Sequence, residues 1–345
     1  MTPPRLPLVH GPTPLVRRPA LDALVSGVEL WIKRDDVTGG AESGNKLRKL
    51  ELLLADARAK GADVVVTCGG IQSNHARATA LACAQLGMRA VLLLRVPDPV
   101  RARREPLDLA GNVLLDAMAG AQIRFVSPDE YAQRNALLER VRLELSEAGE
   151  RPYIVPEGGS NGLGALGYVE AMRETRRQMD LGLAFPEAAR GERFDVVAHA
   201  CGSGGTAAGI ALGAAHHRVA RETWAFAVCD DRETFERRIR AIALEARGLA
   251  PELPELGGLV VDDRAKGPAY AVMDEEQKRF LVAVTRASGL VLDPVYTGKA
   301  LFGVAKAVER GDIRKGARVL FVHTGGLPGL LAQGEGLREA LGDAP

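Results

Sequence analysis

The chain has 345 residues, 46% of them apolar and 26% charged, enough to bury a sizeable core and to divide into two domains. Its 45 Lys and Arg balance 44 Asp and Glu, so no overall field recruits nucleic acid or an anionic membrane, and a phosphate-bearing partner would need a local site. Cys68, Cys83, Cys201 and Cys229 form no Cys-x-x-Cys pair and have no neighbouring His ligand pattern, so no metal is expected and a reduced, cytoplasmic setting fits best. Residues 1–7 lack the apolar core of a signal sequence, and no run of about 18 apolar residues occurs, so neither secretion nor a membrane span is expected.

After a proline-rich lead, residues 28–33 alternate like a strand with one covered face, and a polar loop follows over 35–44. From Asn45, Leu47, Leu50, Leu53, Leu54 and Ala57 recur at helical spacing until Gly61, which places Lys46 in the first turn of a helix. Residues 63–67 form a β-branched run typical of a parallel strand buried on both faces, and an Ala-rich helix then runs to Gly87. A strand is predicted at 90–94, a basic proline-bearing loop at 97–106, strands at 123–126 and 153–155, and a helix around 131–146 between them. The run Arg101-Ala102-Arg103-Arg104 reads as a solvated surface, with steering of a sulfonate as the alternative.

Beyond the glycine-rich joint at 158–162 a helix extends to Met179, and the pattern restarts: strand 194–198, loop 201–205, helix to about His217, strand 224–228. Helices near 232–247 and 274–288 precede a last strand at 318–323. Strands alternating with helices imply a parallel α/β sheet, or two.

Ligands of such sheets bind beyond the carboxyl ends of the strands, where glycine-rich loops meet helix starts. Four stretches qualify: Ser43 to Lys46, Gly69 to His75, Gly202 to Thr206 and His323 to Gly326. Gly202-Ser203-Gly204-Gly205-Thr206 lets backbone N–H groups close on an anion at a helix N-terminus and adds two hydroxyl donors. It is neither a dinucleotide fingerprint nor a P-loop, which removes the basis for a nucleotide-dependent oxidoreductase. Gln72-Ser73-Asn74-His75 is a helix cap on its own, and Lys46 alone is an ordinary solvated lysine. Together, a phosphate cradle, a loop lysine and a Ser-Asn anion site suggest one cofactor, pyridoxal phosphate.

Residues 32–36, 44–50, 71–75, 292–299 and 323–326 together resemble the D-cysteine desulfhydrase and 1-aminocyclopropane-1-carboxylate deaminase family, in order, from about Pro14 to Leu330. The resemblance implies a tryptophan-synthase-β-like (fold type II) enzyme with two open parallel-sheet α/β domains. Residues 48–159 would form a smaller domain inserted between 1–47 and 160–345 of the larger, cofactor-binding one. It implies that Lys46 carries pyridoxal 5'-phosphate through its amine and, once displaced by substrate, moves the Cα proton. Asn74 would meet the ring hydroxyl, Gly202, Ser203, Gly204, Gly205 and Thr206 the phosphate, and Ser73, Asn74 and His75 the substrate carboxylate. Tyr270 and Tyr296 match the family's two active-site tyrosines.

Deaminases of the family carry Glu and Leu where this chain has Thr297 and Thr324. A Glu would keep the cofactor's ring nitrogen protonated, whereas a neutral Thr contact, best given by Thr324, suits expulsion of a good leaving group. Each Thr could equally be a local cap. The expected activity is therefore β-elimination of hydrosulfide from D-cysteine by a homodimer acting on a small amino acid, with no nucleic acid or membrane partner. Elimination from L-cysteate or β-chloro-D-alanine, deamination of 1-aminocyclopropane-1-carboxylate, and a non-catalytic cofactor carrier or ligand sensor remain as alternatives.

Overall fold

A computed structural model describes residues 3–105, 108–185 and 191–342. Its strands are β1 (Leu15–Arg17), β2 (Glu29–Lys33), β3 (Val64–Gly70), β4 (Arg89–Arg95), β5 (Gln122–Val126), β6 (Pro152–Ile154), β7 (Phe194–Cys201), β8 (Ala220–Ala227), β9 (Leu259–Asp262) and β10 (Arg318–Val322). They form a six-stranded sheet ordered β1-β2-β10-β7-β8-β9 and a four-stranded sheet ordered β5-β4-β3-β6. Among the described residues only β1 pairs antiparallel, at the edge of the larger sheet.

The helices that matter for the site are α1 (Asn45–Ala59), α2 (Asn74–Gln85), α3 (Pro99–Arg104), α4 (Gly111–Met118), α5 (Pro128–Ala132), α6 (Arg134–Glu147), α7 (Gly162–Asp180), α8 (Gly205–His216), α9 (Arg232–Leu249), α10 (Glu275–Ser288), α11 (Thr297–Glu309) and α12 (Leu327–Leu331). No helix of the described residues is long and apolar enough to cross a membrane.

Period-two alternation explains the small sheet: Val65 and Leu92 face one core layer, while Val64, Val66, Val91 and Leu93 face the other. In α1, Leu47, Leu50, Leu53 and Leu54 are fully buried, each contributing roughly 1.5–3 kcal/mol. The helix stops at Ala59, and Gly61, at φ +68°, turns the chain toward β3.

The basic stretch expected as a loop over 97–106 contains α3. Asp98 Oδ1 accepts from the N–H groups of Val100 and Arg101, both at 3.0 Å, and Pro99 opens the helix with a preset φ. Pro106 lies outside the described residues. Arg101, Arg103 and Arg104 lie at the surface, Arg101 paired with Glu105 at 2.7 Å. The helix expected around 131–146 is two helices, α5 and α6, broken at Gln133.

The stretch Lys33-Arg34-Asp35-Asp36 is structural. Asp35 is fully buried and accepts from Arg48 through both oxygens (2.7 and 2.8 Å), from Tyr168 Oη (2.8 Å) and from Thr13 Oγ1 (2.8 Å). Glu174 on α7 completes the cluster beside Arg48 and the buried Lys33. Burial alone would raise the Asp35 carboxyl, but the fork of Arg48 overrides it and holds it below its ordinary value. Asp35→Ala, which leaves the buried Arg48 with Glu174 as its remaining carboxylate, should cost about 3–5 kcal/mol in denaturant unfolding. Asp35 and Glu174 are both shifted down, so their contribution is present above the ordinary carboxylate range and is lost as pH falls below it; the acid-unfolding midpoint should therefore rise in the variant.

Candidate active site

The carboxyl ends of β3, β7 and β10 open onto a cavity of about 470 Å³, within the range of a cofactor site. Each of the four glycine-bearing stretches singled out in the sequence contributes to its wall, through Asn45 and Lys46, Gly69 and Gly70 with Ser73 to His75, Gly202 to Gly204 with Thr206, and Thr324 with Gly325.

Lys46 is the second residue of α1. Gly44, at φ +125°, makes the turn before it, and a side chain there would meet the Thr324 carbonyl at 3.0 Å. The Lys46 amine donates to Asn45 Oδ1 at 3.0 Å, and no carboxylate among the described residues lies within ion-pair distance. Burial, reinforced by the Arg77 guanidinium, lowers its pKa to about 8. About a tenth of the amine is thus a free nucleophile at pH 7, far more than an ordinary lysine offers. Asn45 also donates from Nδ2 to Thr206 Oγ1 at 3.0 Å, tying the lysine to the opposite loop.

At that loop, Gly204 takes a left-handed φ of +91°, and a Cβ on Gly202 would meet Tyr296 Cε1 at 2.9 Å. The first turn of α8 leaves N–H groups without intrahelical acceptors. Gly202, Ser203, Gly204 and Thr206 line the cavity, whereas Gly205 lies behind them and donates to Ser160 Oγ at 3.2 Å. Beneath the loop, the buried Lys49 donates to the Gly158 carbonyl at 2.9 Å, and its Nζ lies 3.0 Å from where a Cβ on Gly205 would stand. Desolvation drives its pKa well down, so an anion at the loop would favour its charged form.

Ser73 caps α2, accepting from Ala76 N at 3.2 Å and keeping its own proton free to donate. The amide of Asn74 faces the cavity from the same turn. His75 differs from its expected use as a carboxylate ligand: its Nε2 lies 2.8 Å from Thr67 Oγ1, whose proton goes to the Val155 carbonyl at 2.7 Å. The ring therefore donates to Thr67, and what His75 can offer a carboxylate is its first-turn N–H.

Tyr270 and Tyr296 share a hydrogen bond of 2.7 Å between their hydroxyls, with rings edge to face. Burial raises both pKa values, so both hydroxyls keep their protons. The loop carrying Tyr270 is held by Lys299, which donates to the carbonyls of Lys266 at 2.6 Å and Ala269 at 2.8 Å. Thr324 lines the cavity, but Thr297 does not: it is fully buried and its hydroxyl donates to Asp293 Oδ1 at 2.7 Å. Thr297 is the first residue of α11, where it braces Asp293 by accepting from its N–H at 2.9 Å, and is no cavity ligand in this structure.

Asn45, Lys49 and Lys299 went unassigned in the sequence. Asn45 and Lys49 sit in the Lys46 motif and Lys299 three residues after Tyr296, so adjacency was the available signal.

The sequence pattern of the pyridoxal-phosphate dependent enzymes matches residues 6–325. The chain is 39% identical over 97% of its length to the bifunctional D-cysteine desulfhydrase/1-aminocyclopropane-1-carboxylate deaminase of Arabidopsis thaliana, a mitochondrial protein, and spans 81% of it. A putative 1-aminocyclopropane-1-carboxylate deaminase of Pyrococcus abyssi is 38% identical over 98% of this chain and 96% of its own. The crystal structure of a homologue of that deaminase superposes with a TM-score of 0.83 at 33% identity, covering 98% and 96% of the two chains. The chain belongs to the pyridoxal-phosphate dependent enzyme family and, within it, to the group of D-cysteine desulfhydrase and 1-aminocyclopropane-1-carboxylate deaminase, with the fold type II architecture.

The residues present fit that cofactor: a buried amine free of any acid partner, a glycine cradle that a Cβ would fill, and a buried lysine beneath it that an anion would charge. Capture of pyridoxal phosphate by the cofactor-free protein should rise with pH to a plateau with its midpoint near 8, below the ordinary lysine value of 10.5. Lys46→Ala should abolish the adduct trapped by borohydride, as read by mass spectrometry.

Proposed function

We propose that the chain eliminates hydrosulfide from D-cysteine, so that D-cysteine and water give pyruvate, ammonia and hydrogen sulfide. The observation that carries this reading is the neutral setting around Thr324. Of the two acids beside this turn, Asp293 spends its oxygens on the N–H groups of Val295, Tyr296 and Thr297 and on the Thr297 hydroxyl, all within 2.7–2.9 Å, and Asp36 pairs with Arg34 at 2.6 and 2.7 Å. No free acid there strengthens the electron sink that opening a cyclopropane would demand, while a thiol leaves with less help.

Bound pyridoxal phosphate supplies the electron sink for charge developing at Cα. Ser73 and the first-turn amides of α2 hold the substrate carboxylate, with the helix dipole favouring the anion. Lys46 takes the Cα proton, its amine being neutral above about pH 8. The Tyr270 and Tyr296 pair, both protonated, supplies a proton to the departing sulfur.

In this reading residues 48–159 close as a unit and bring Ser73 onto the carboxylate. Unchanged small-angle scattering on adding a substrate analogue would sink that closure. The reading extends to a cytoplasmic homodimer, whose subunit count sedimentation measures directly.

The relatives' names favour a second reading, deamination of 1-aminocyclopropane-1-carboxylate to 2-oxobutyrate and ammonia. A panel of D-cysteine, L-cysteine, L-cysteate, β-chloro-D-alanine and the cyclopropane acid decides between them. Sulfide with pyruvate from D-cysteine is the expected outcome; 2-oxobutyrate alone would establish the second reading, and no product at all would leave a carrier. Ser73→Ala should raise KM for the amino acid by about ten- to a hundredfold through loss of a hydrogen bond to a charged group. It should also lower stability by about 1 kcal/mol through loss of the α2 cap.

A further inference from the structure

Behind Asn74 runs a chain of polar contacts that belongs to no role assigned above. Arg77, on the next turn of α2 and 2% exposed, donates from Nε to Asn112 Oδ1 at 3.1 Å. Asn112, fully buried at the start of α4, donates from Nδ2 to Asn74 Oδ1 at 3.1 Å and to the Gln72 carbonyl at 3.1 Å. Gln72 fixes the α4 start from the other side, accepting from Asn112 N at 2.8 Å and donating to the Ala110 carbonyl at 3.0 Å. On the far side, the α12 backbone closes over the pair: a Cβ on Gly329 would stand 3.6 Å from Asn112 Nδ2 and 3.9 Å from Asn74 Oδ1.

The polarity of this chain has one solution. A guanidinium has donors and no acceptor, so the end of Asn112 facing Arg77 must be its oxygen. A backbone carbonyl only accepts, so the end facing Gln72 must be the NH2 group, and both constraints agree. That NH2 group then requires the oxygen of Asn74, which leaves the Asn74 NH2 group turned to the cavity.

We infer that Asn112, keyed by Arg77 and Gln72, is a positioning residue that sets the Asn74 amide so that it presents a donor to the cofactor's ring oxygen. This rests on the reading that Asn74 meets that ring. Arg77 also donates through Nη1 to the carbonyls of Ala41 and Ser43, the latter at 2.9 Å. The same guanidinium therefore fixes both the loop that delivers Lys46 and the amide that faces the ring.

Asn112→Asp inverts the polarity with little change of shape. An aspartate can still accept from Arg77 but has no donor for Asn74, so Asn74 turns its NH2 group inward and presents a carbonyl to the cavity. Asp116, the other acid beside Arg77, makes no hydrogen bond among the described residues and has its pKa raised by burial to about 8, so the new carboxylate does not compete with a charged neighbour at neutral pH.

The test uses the holoenzymes of wild type, N112D, N74A and the double variant, and reads cofactor retention on dialysis, the pH titration of the visible absorbance band and the melting temperature of the cofactor-free forms. N112D should weaken cofactor binding at least about tenfold and move the band's midpoint upward, because a ring oxygen without its donor holds nearby protons more tightly. The melting temperature of its cofactor-free form should fall by a few degrees, because the new carboxylate also faces the Gln72 carbonyl, and N112D should add nothing to the band shift or the loss of retention in the N74A background. If N74A shifts the band and N112D does not, or if the two effects simply add, the positioning role is wrong. If N74A itself leaves band and retention unchanged, the placement of Asn74 at the ring fails instead. A fall in the melting temperature of cofactor-free N112D with an unmoved band would make Asn112 merely structural and overturn the inference.

Discussion

The buried carboxylate of Asp35 is the constraint on which the rest of the site depends. It lies directly after β2, and Arg48, on the first turns of α1, reaches it with two parallel hydrogen bonds. Tyr168 and Glu174 bring α7 to the same point, and Thr13 brings the N-terminal arm. An ion pair so deeply desolvated costs nearly as much as it returns, so its contribution is to position rather than to stabilise. Displacing Arg48 would displace Lys46, two residues before it in the same helix.

From that anchor the cavity is assembled by short links between distant parts of the chain. Asn45 joins the lysine to the Gly202–Thr206 loop, the N–H of Asn45 donates to the Thr324 carbonyl at 3.1 Å, and Ser160 meets Ser203 at 2.8 Å. Each link joins a loop at one strand end to a loop at another. The cavity wall is thus held by hydrogen bonds whose partners are specified one by one, while the apolar layers around the sheets set only the approximate spacing. The thiols that also line it, Cys68, Cys201 and Cys229, are pushed up by burial, the first two to about 12 and the last to about 11, and offer no competing nucleophile at neutral pH.

Much of this was legible before any coordinates. Helical spacing from Asn45 and the β-branched run at 63–67 placed α1 and β3, because their periodicities are those of buried faces. The four loops were found because glycine beside hydroxyl and amide residues at a strand end has few other uses. What the sequence hid was partnership across distance. Thr297 looked like a cofactor contact by its place beside Tyr296, but only the fold shows that Asp293, four residues earlier, takes its hydroxyl. His75 looked available until Thr67 was found beside its ring. Helix α3 was concealed by the prolines and arginines of its stretch, although Asp98-Pro99 is itself a helix-start signal. Asn112 carried no signal, since nothing local ties residue 112 to residue 74.

The placement of Lys46 in the first turn of a helix has a consequence for handedness. Its side chain is rooted in a buried, hydrogen-bonded helix start, beside Asn45, whose oxygen accepts from the amine. In the proposed reaction, a base rooted there would reach a bound amino acid from the side on which α1 begins. On that reading, which mirror image is consumed would follow from where α1 begins rather than from the shape of the pocket mouth.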